Sequence, residues 1–259
     1  MNLINKNKYM ILDCVLSACN NNKNYSDFIP IFIKSWKKLY PLVDIKIIFI
    51  NNYIPDDLLL YSENIILFNE IVGVSSAFIS QYIRLLYPAI LNYDNGILIT
   101  DIDMIPMNNI YYTENIKNFD NNKFIYMRNV LLNINEFSIC YNVAINKIWQ
   151  EIFNIYTLDD IKLKIIYKFN SINYNLNNLN GWNTDQKDLF SSVMEWNNKT
   201  NNLIILNDNI TKFNRLDRLK IKLNNKTKNN IKNKLYTDYH CLRPYNQFKF
   251  INDSIFNLL

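Results

Sequence analysis

Runs of β-branched and apolar residues alternate with stretches of helical period through the first hundred positions, and few folds accept that alternation. Tyr9 to Ala18 reads as a central strand, Asp44 to Ile50 as a second, Asn64 to Phe68 as a shorter third and Ile97 to Thr100 as a fourth. Ser26-Asp27 is placed to cap a helix to about Tyr40, with Phe28, Ile31, Phe32, Ser35 and Leu39 on its period and Pro41 as its stop. Ser75-Ser76 opens another helix, Ala77 to about Leu86, ahead of Pro88. This spacing predicts an α/β fold, a mostly parallel central sheet flanked by helices. Ligands of such sheets bind at the carboxyl ends of the strands. Further strands are expected at Lys123 to Arg128, Phe137 to Ile145 and Leu203 to Leu206, with helices at Trp149 to Tyr156 and Thr184 to Met194. Asn170 to Asn180 reads as a loop. At 259 residues and 49% hydrophobic, the chain has core enough for a single domain over 1–259 despite its many asparagines. An N-terminal part is expected at about 9–105 and a second part with a C-terminal elaboration at about 106–259.

The fourth strand ends in chemistry. Gly96-Ile97-Leu98-Ile99-Thr100 leads into Asp101-Ile102-Asp103, and Pro106 then blocks regular continuation. Alternate residues of a strand share a face, so Asp101 and Asp103 would point to one side at a ligand-binding end. Two carboxylates there can hold a hard divalent cation, and the cation can neutralise a diphosphate. Asp-x-Asp also occurs by chance in solvated turns, so the spacing alone leaves both readings open.

Bulk properties narrow the field. The net charge is +5, and much of the excess sits between Lys212 and Lys234, where Asp217 is the sole acid. Without aromatics interleaved among those charges, the segment reads as a solvated lysine-rich face and no nucleic-acid partner is expected. Cys14, Cys19, Cys140 and Cys241 have no zinc or C-x-x-C spacing and read as reduced, structural thiols. Met1-Asn2-Leu3-Ile4-Asn5-Lys6 lacks a hydrophobic signal core, and no apolar run approaches the ~20 residues of a membrane span. The expectation is a cytoplasmic protein with no transmembrane segment. With only 3 glycines there is no glycine-rich phosphate loop, which weighs against a nucleotidyltransferase.

Five segments, taken in order, resemble the nucleotide-diphospho-sugar glycosyltransferases of the GT-A fold, a Rossmann-like class. The likeness is to retaining members such as glycogenin and the lipopolysaccharide galactosyltransferases. They are Leu16-Ser17-Ala18-Cys19 with Asn24-Tyr25, Ser76-Ala77 with Gln81-Tyr82-Ile83-Arg84-Leu85, Ile97 to Asp103, Trp182-Asn183-Thr184-Asp185-Gln186, and Tyr239-His240-Cys241-Leu242-Arg243-Pro244-Tyr245. The resemblance implies that Tyr25 stacks on uracil, with Ala18 and Asn24 lining the base pocket; a plain helix-entry tyrosine is the competing reading. It implies that Arg84 reaches towards the donor or ties down Asp101, against a snorkelling surface arginine. Asp101, Asp103 and His240 would be metal ligands, Asp101 touching the ribose as well, and Arg243 would grip the diphosphate. Asp185 would bind sugar hydroxyls and Gln186 would face the anomeric carbon, although Asp185 also suits a plain helix cap. Mixed oxygen and imidazole ligation suits Mn²⁺ better than Mg²⁺.

The function implied is metal-dependent transfer of a hexosyl group from a UDP-sugar to a hydroxyl acceptor, on a glycan, protein or lipid, with retention. An inverting enzyme would need a carboxylate base, such as Asp185 or Asp188. A non-catalytic sugar-nucleotide or glycan-binding protein on the same fold is the alternative from another class. The family's Asn-Ala-Gly-Val turn is replaced by Ile139-Cys140-Tyr141-Asn142-Val143-Ala144, so the acceptor side is expected to be remodelled. No feature of the sequence sets the number of subunits.

Overall fold

The computed structural model describes residues 9–175 and 177–259. The signal-core reading rests on Met1 to Lys6 and lies outside the described residues. Among the described residues ten strands form: β1 Leu12–Asn20, β2 Asp44–Ile50, β3 Ile65–Phe68, β4 Gly96–Ile99, β5 Met104–Pro106, β6 Phe124–Tyr126, β7 Asn142–Ile145, β8 Leu203–Ile205, β9 Arg215–Asp217 and β10 Asp238–His240. The helices are α1 Lys23–Ser26, α2 Ile29–Leu39, α3 Ser76–Leu86, α4 Tyr111–Glu114, α5 Asn146–Phe153, α6 Leu158–Ser171, α7 Thr184–Thr200, α8 Asp208–Thr211, α9 Asn225–Lys232 and α10 Lys249–Asn257. Among the described residues no helix is long and apolar enough to cross a membrane.

A seven-stranded sheet in the order β3-β2-β1-β4-β7-β6-β8 carries the fold. β3, β2, β1 and β4 run parallel, β7 is antiparallel to both its neighbours, and β6 pairs parallel with β8. β1 and β2 are buried almost end to end, as strands covered on both faces must be. α3 lies against β1 and β2, and α2 against β2 and β5. Gly96 opens β4 between β1 and β7, where a Cβ would come within 2.8 Å of both the Ile11 carbonyl oxygen and a Val143 methyl. The absence of a side chain there lets the aspartate-bearing strand enter the middle of the sheet.

A second sheet, β5-β10-β9, brings the distant C-terminal segments beside β4. Pro106 blocks regular continuation as expected: it is the last residue of β5, a short edge strand paired only with β10 among the described residues, where a missing donor is tolerated. The first helix differs from expectation. Asn22 caps the single turn α1, accepting from the Asn24 amide at 3.0 Å, and α2 begins only at Ile29, with Pro30 in its first turn.

Phe137 to Ile145 is not one strand. The Asn142 side-chain amide donates to the Ser138 and Ile139 carbonyls at 2.7 and 2.9 Å, which closes a 3₁₀ turn over Ile139–Tyr141 before β7 begins. α6 was not foreseen. A capping box opens it: Thr157 accepts from the Asp160 amide at 3.1 Å while Asp160 accepts from the Thr157 amide at 2.8 Å.

Candidate active site

The carboxyl ends of β1 and β4, the α1 turn and the starts of α3 and α7 surround one cavity of about 380 Å³. Ten residues nominated from the sequence line it: Ala18, Asn24, Tyr25 and Arg84, then Asp101, Asp103, Asp185, Gln186, His240 and Arg243. Their convergence follows from the topology. β1 delivers Ala18, and the turn after it carries Asn24 and Tyr25. β4 delivers Asp101 to the same edge, and α7 begins beneath it with Asp185 and Gln186.

Arg84 is the keystone between two of these elements. It is 8% exposed, so it does not snorkel. Its Nε donates to the Gln81 carbonyl at 3.1 Å, its Nη1 to Asp101, and its Nη2 to Asp185 at 2.9 Å. Each arm of the guanidinium fork thus has an acceptor, which is what a buried charge requires. The tie to Asp101 was one of the roles foreseen for it. Burial pushes the Asp185 carboxyl above the usual carboxylate range, and the neighbouring Arg84 charge only partly offsets this. Asp185 Oδ1 also accepts from the Gln186 amide at 2.9 Å, but Asn183 holds the N-cap position, so Asp185 lies in the first turn of α7 and is not its cap.

The second sheet assembles the other wall. His240 pairs with Met104 on β5 and with Asp217 on β9. One step further on, the Cys241 amide donates to the Asp103 carbonyl at 2.9 Å, and Arg218 Nη1 donates to the Cys241 carbonyl at 3.3 Å. Asp103, Cys241 and Arg218 thus stand side by side. Arg218 Nη1 also donates to Asp103 Oδ2 at 2.8 Å, while Arg243 Nε and His240 Nε2 lie 3.3 and 3.4 Å from the same oxygen. Burial works to raise the Asp103 carboxyl, but His240, Arg243 and Arg218 together hold it well below the usual range.

Asp101 keeps 36% of its side-chain surface open, and its oxygens take Arg84 and the Cys140 thiol, the latter at 2.9 Å. Burial opposes its ionisation, yet the Arg84 charge and that thiol bring its carboxyl below the usual range. At the base end, Arg243 Nη1 donates to the Tyr25 hydroxyl at 3.0 Å, and the guanidinium carbon sits 5.3 Å from the Tyr25 ring centre.

Two carboxylates and an imidazole are a donor set that Mn²⁺ accepts, and the three side chains share the cavity wall. They fit a divalent cation in kind and in neighbourhood. Among the described residues, however, no three His, Cys, Asp or Glu side chains have already converged on one point. The carboxylate oxygens are held by Arg84 on one side and by Arg218 and Arg243 on the other.

Sequence reasoning missed Arg218. The Lys212 to Lys234 stretch does present its lysines to solvent, as expected, but Arg215 and Arg218 turn inward: Arg215 pairs with the buried Asp238 at 3.0 Å. Ser138, Ile139 and Trp182 line the cavity without having been nominated. Asp188, considered as a base, is absent from the lining. Its two oxygens accept from Tyr82 at 2.7 Å and Lys168 at 2.6 Å. The four cysteines are free and buried, as read, with Cys140 set against Asp101 rather than in inert core.

No protein-family model matches the sequence, and no curated protein matches it. Solved structures do. An active-site mutant of LgtC superposes over 95% of this chain and 94% of its own length, at 11% identity and a TM-score of 0.51. The chain has a GT-A fold. LgtC galactosyltransferase in complex with donor and acceptor sugar analogs covers 93% of the chain and 95% of itself, at 13% identity and a TM-score of 0.49. The apo form of the glycosyltransferase GlyE of Streptococcus pneumoniae TIGR4 covers 95% of this chain at 14% identity and a TM-score of 0.49, and the match spans 62% of GlyE. In the GT-A sheet of this chain, the aspartate strand β4 lies at the centre and hands its aspartates to the cavity.

Proposed function

We propose that the protein is a glycosyltransferase that moves a hexosyl unit from a UDP-sugar to a hydroxyl acceptor, with Mn²⁺ or a similar divalent cation and with retention. The observation that carries this reading is the single cavity that gathers an aromatic base platform, arginines, aspartates with a histidine, and an Asp-Gln helix start.

Tyr25, with Ala18 and Asn24, offers a face on which uracil can stack. Arg243 bridges from Tyr25 to Asp103 and so lies where a diphosphate would join the base end to the aspartates. Asp101, Asp103 and His240 would hold the cation, which supplies charge neutralisation for the departing diphosphate. Arg84 fixes Asp101 and Asp185 relative to each other, so that sugar hydroxyls meet a preset carboxylate. Gln186 follows it at the helix start. The carboxylates in the lining, Asp101, Asp103 and Asp185, are all paired with arginine, and Asp188 is held elsewhere. That arrangement favours retention, in which the departing diphosphate oxygen takes the acceptor proton and no side-chain base is needed.

A thermal-shift series with UDP, dTTP and Mn²⁺ tests the donor class. Stabilisation by UDP that requires Mn²⁺ is the expected result. Indifference to UDP at every Mn²⁺ concentration would reject the reading, and UDP binding without any sugar transfer would point to a sugar-nucleotide-binding protein.

A further inference from the structure

Arg218 belongs to none of the segments that carry the family likeness, yet it takes a decisive position in the cavity wall. It follows β9 directly, and the pairing of β9, β10 and β5 sets it beside Cys241 and Asp103. Its hydrogen bonds among the described residues run through Nη1 alone, to Asp103 Oδ2 at 2.8 Å and the Cys241 carbonyl at 3.3 Å. The remaining N–H groups of the fork have no protein acceptor among those residues, on a side chain that lines the cavity. A guanidinium with spare donors is built for two-pronged contact with phosphate oxygens.

The charge count on this wall points the same way. Asp103 is 4% exposed, and its Oδ2 faces Arg218 at 2.8 Å, Arg243 at 3.3 Å and His240 at 3.4 Å. Two guanidiniums share one carboxylate, so positive charge is in excess in a partly dry pocket, where like charges repel strongly. Asp103 offsets only one of the two guanidinium charges, and an anionic ligand offsets the other. The same geometry sets a condition on the cation, because Asp103 Oδ2 is already occupied by Arg218. A divalent ion that takes this oxygen competes with the guanidinium for it, and a guanidinium that gives way then needs an anionic partner.

We propose that Arg218 is a positioning residue for the donor diphosphate, one that neutralises Asp103 in the empty site and moves to the diphosphate when a divalent cation takes Asp103. The inference rests on the UDP-sugar reading and adds to it a specific coupling. Cation and diphosphate bind weakly apart and strongly together, because each removes the penalty the other would meet. By linkage the coupling is reciprocal: UDP tightens the cation by the factor by which the cation tightens UDP.

The test is Mn²⁺ binding followed by electron paramagnetic resonance on the full chain, with and without UDP, in wild type, Arg218→Gln and Arg218→Lys. Circular dichroism confirms that each variant is folded. Without UDP, Arg218→Gln is expected to bind Mn²⁺ about tenfold more tightly than wild type, since the competing guanidinium is gone. With Mn²⁺ present, the same variant should bind UDP about tenfold more weakly and lose most of the mutual enhancement. Arg218→Lys keeps a charge without the fork and should fall between the two; if Arg218→Gln does not fold, the lysine variant decides. A merely structural role would not move Mn²⁺ and UDP affinity in opposite directions. Both affinities staying within twofold of wild type in a folded variant would overturn the role of Arg218 and leave the donor reading intact. A wild-type protein that binds no UDP at any Mn²⁺ concentration would overturn the donor reading and this inference with it.

Discussion

Arg84 Nη2 lies 2.9 Å from Asp185 Oδ2, and this buried ion pair, spanning 101 residues of sequence, joins α3 to the start of α7 across the floor of the cavity. Because Arg84 also holds Asp101, one side chain sets the relation between the aspartate strand and the Asp-Gln helix.

Removing one partner from such a pair strands a charge in the interior. Arg84→Met is expected to destabilise the fold by about 3–5 kcal/mol, measured by urea denaturation. Asp185→Asn in the same background should recover part of that loss, because the stranded carboxylate is gone. Strict additivity of the two substitutions would contradict the pairing.

The raised carboxyl of Asp185 has a signed consequence for pH. Its folded state holds the proton more tightly than the unfolded chain, whose carboxyl titrates near 3.8. The stability this confers is complete below 3.8 and is lost as pH rises through the higher folded value. The stability difference between wild type and Asp185→Asn should therefore fall as pH rises above about 4, by at most about 1.4 kcal/mol per pH unit. Urea titrations at several pH values read it directly. A difference that grows with pH would show that the Arg84 charge outweighs burial.

How much of this was legible beforehand depends on how far apart in sequence the contacting groups lie. β2 was read to the residue and β4 to within one, because long β-branched runs bounded by turn residues leave little choice. α6 was missed because only Ile161 and Ile165 are buried, while Leu163 and Tyr167 stand in solvent and blur the period. The capping box from Thr157 to Asp160 was the available signal. Arg218 was illegible for a different reason. Three-residue strands carry no periodic signature, and its neighbour Asp103 is 115 residues away. Amid exposed lysines, nothing local marks the one arginine that a strand pairing will turn inward to the aspartates.

Tyr25 tests the base end. Arg243 contacts both its hydroxyl and its ring. Tyr25→Ala should weaken UDP binding in the presence of Mn²⁺ by about 1–3 kcal/mol, the worth of a stacked base, when read by isothermal titration calorimetry. Tyr25→Phe, which keeps the ring, should retain most of the affinity. Equal loss in both variants would assign the effect to the Arg243 hydrogen bond instead.

The most direct measurement is UDP release from a panel of UDP-sugars incubated with Mn²⁺ and the wild-type protein, beside Asp103→Ala and His240→Ala. Release from at least one UDP-hexose, abolished by chelation and by either substitution, is the predicted result. Full turnover in both variants would contradict the assignment of Asp103 and His240 to the cation. No release from any UDP-sugar would contradict the glycosyltransferase reading itself.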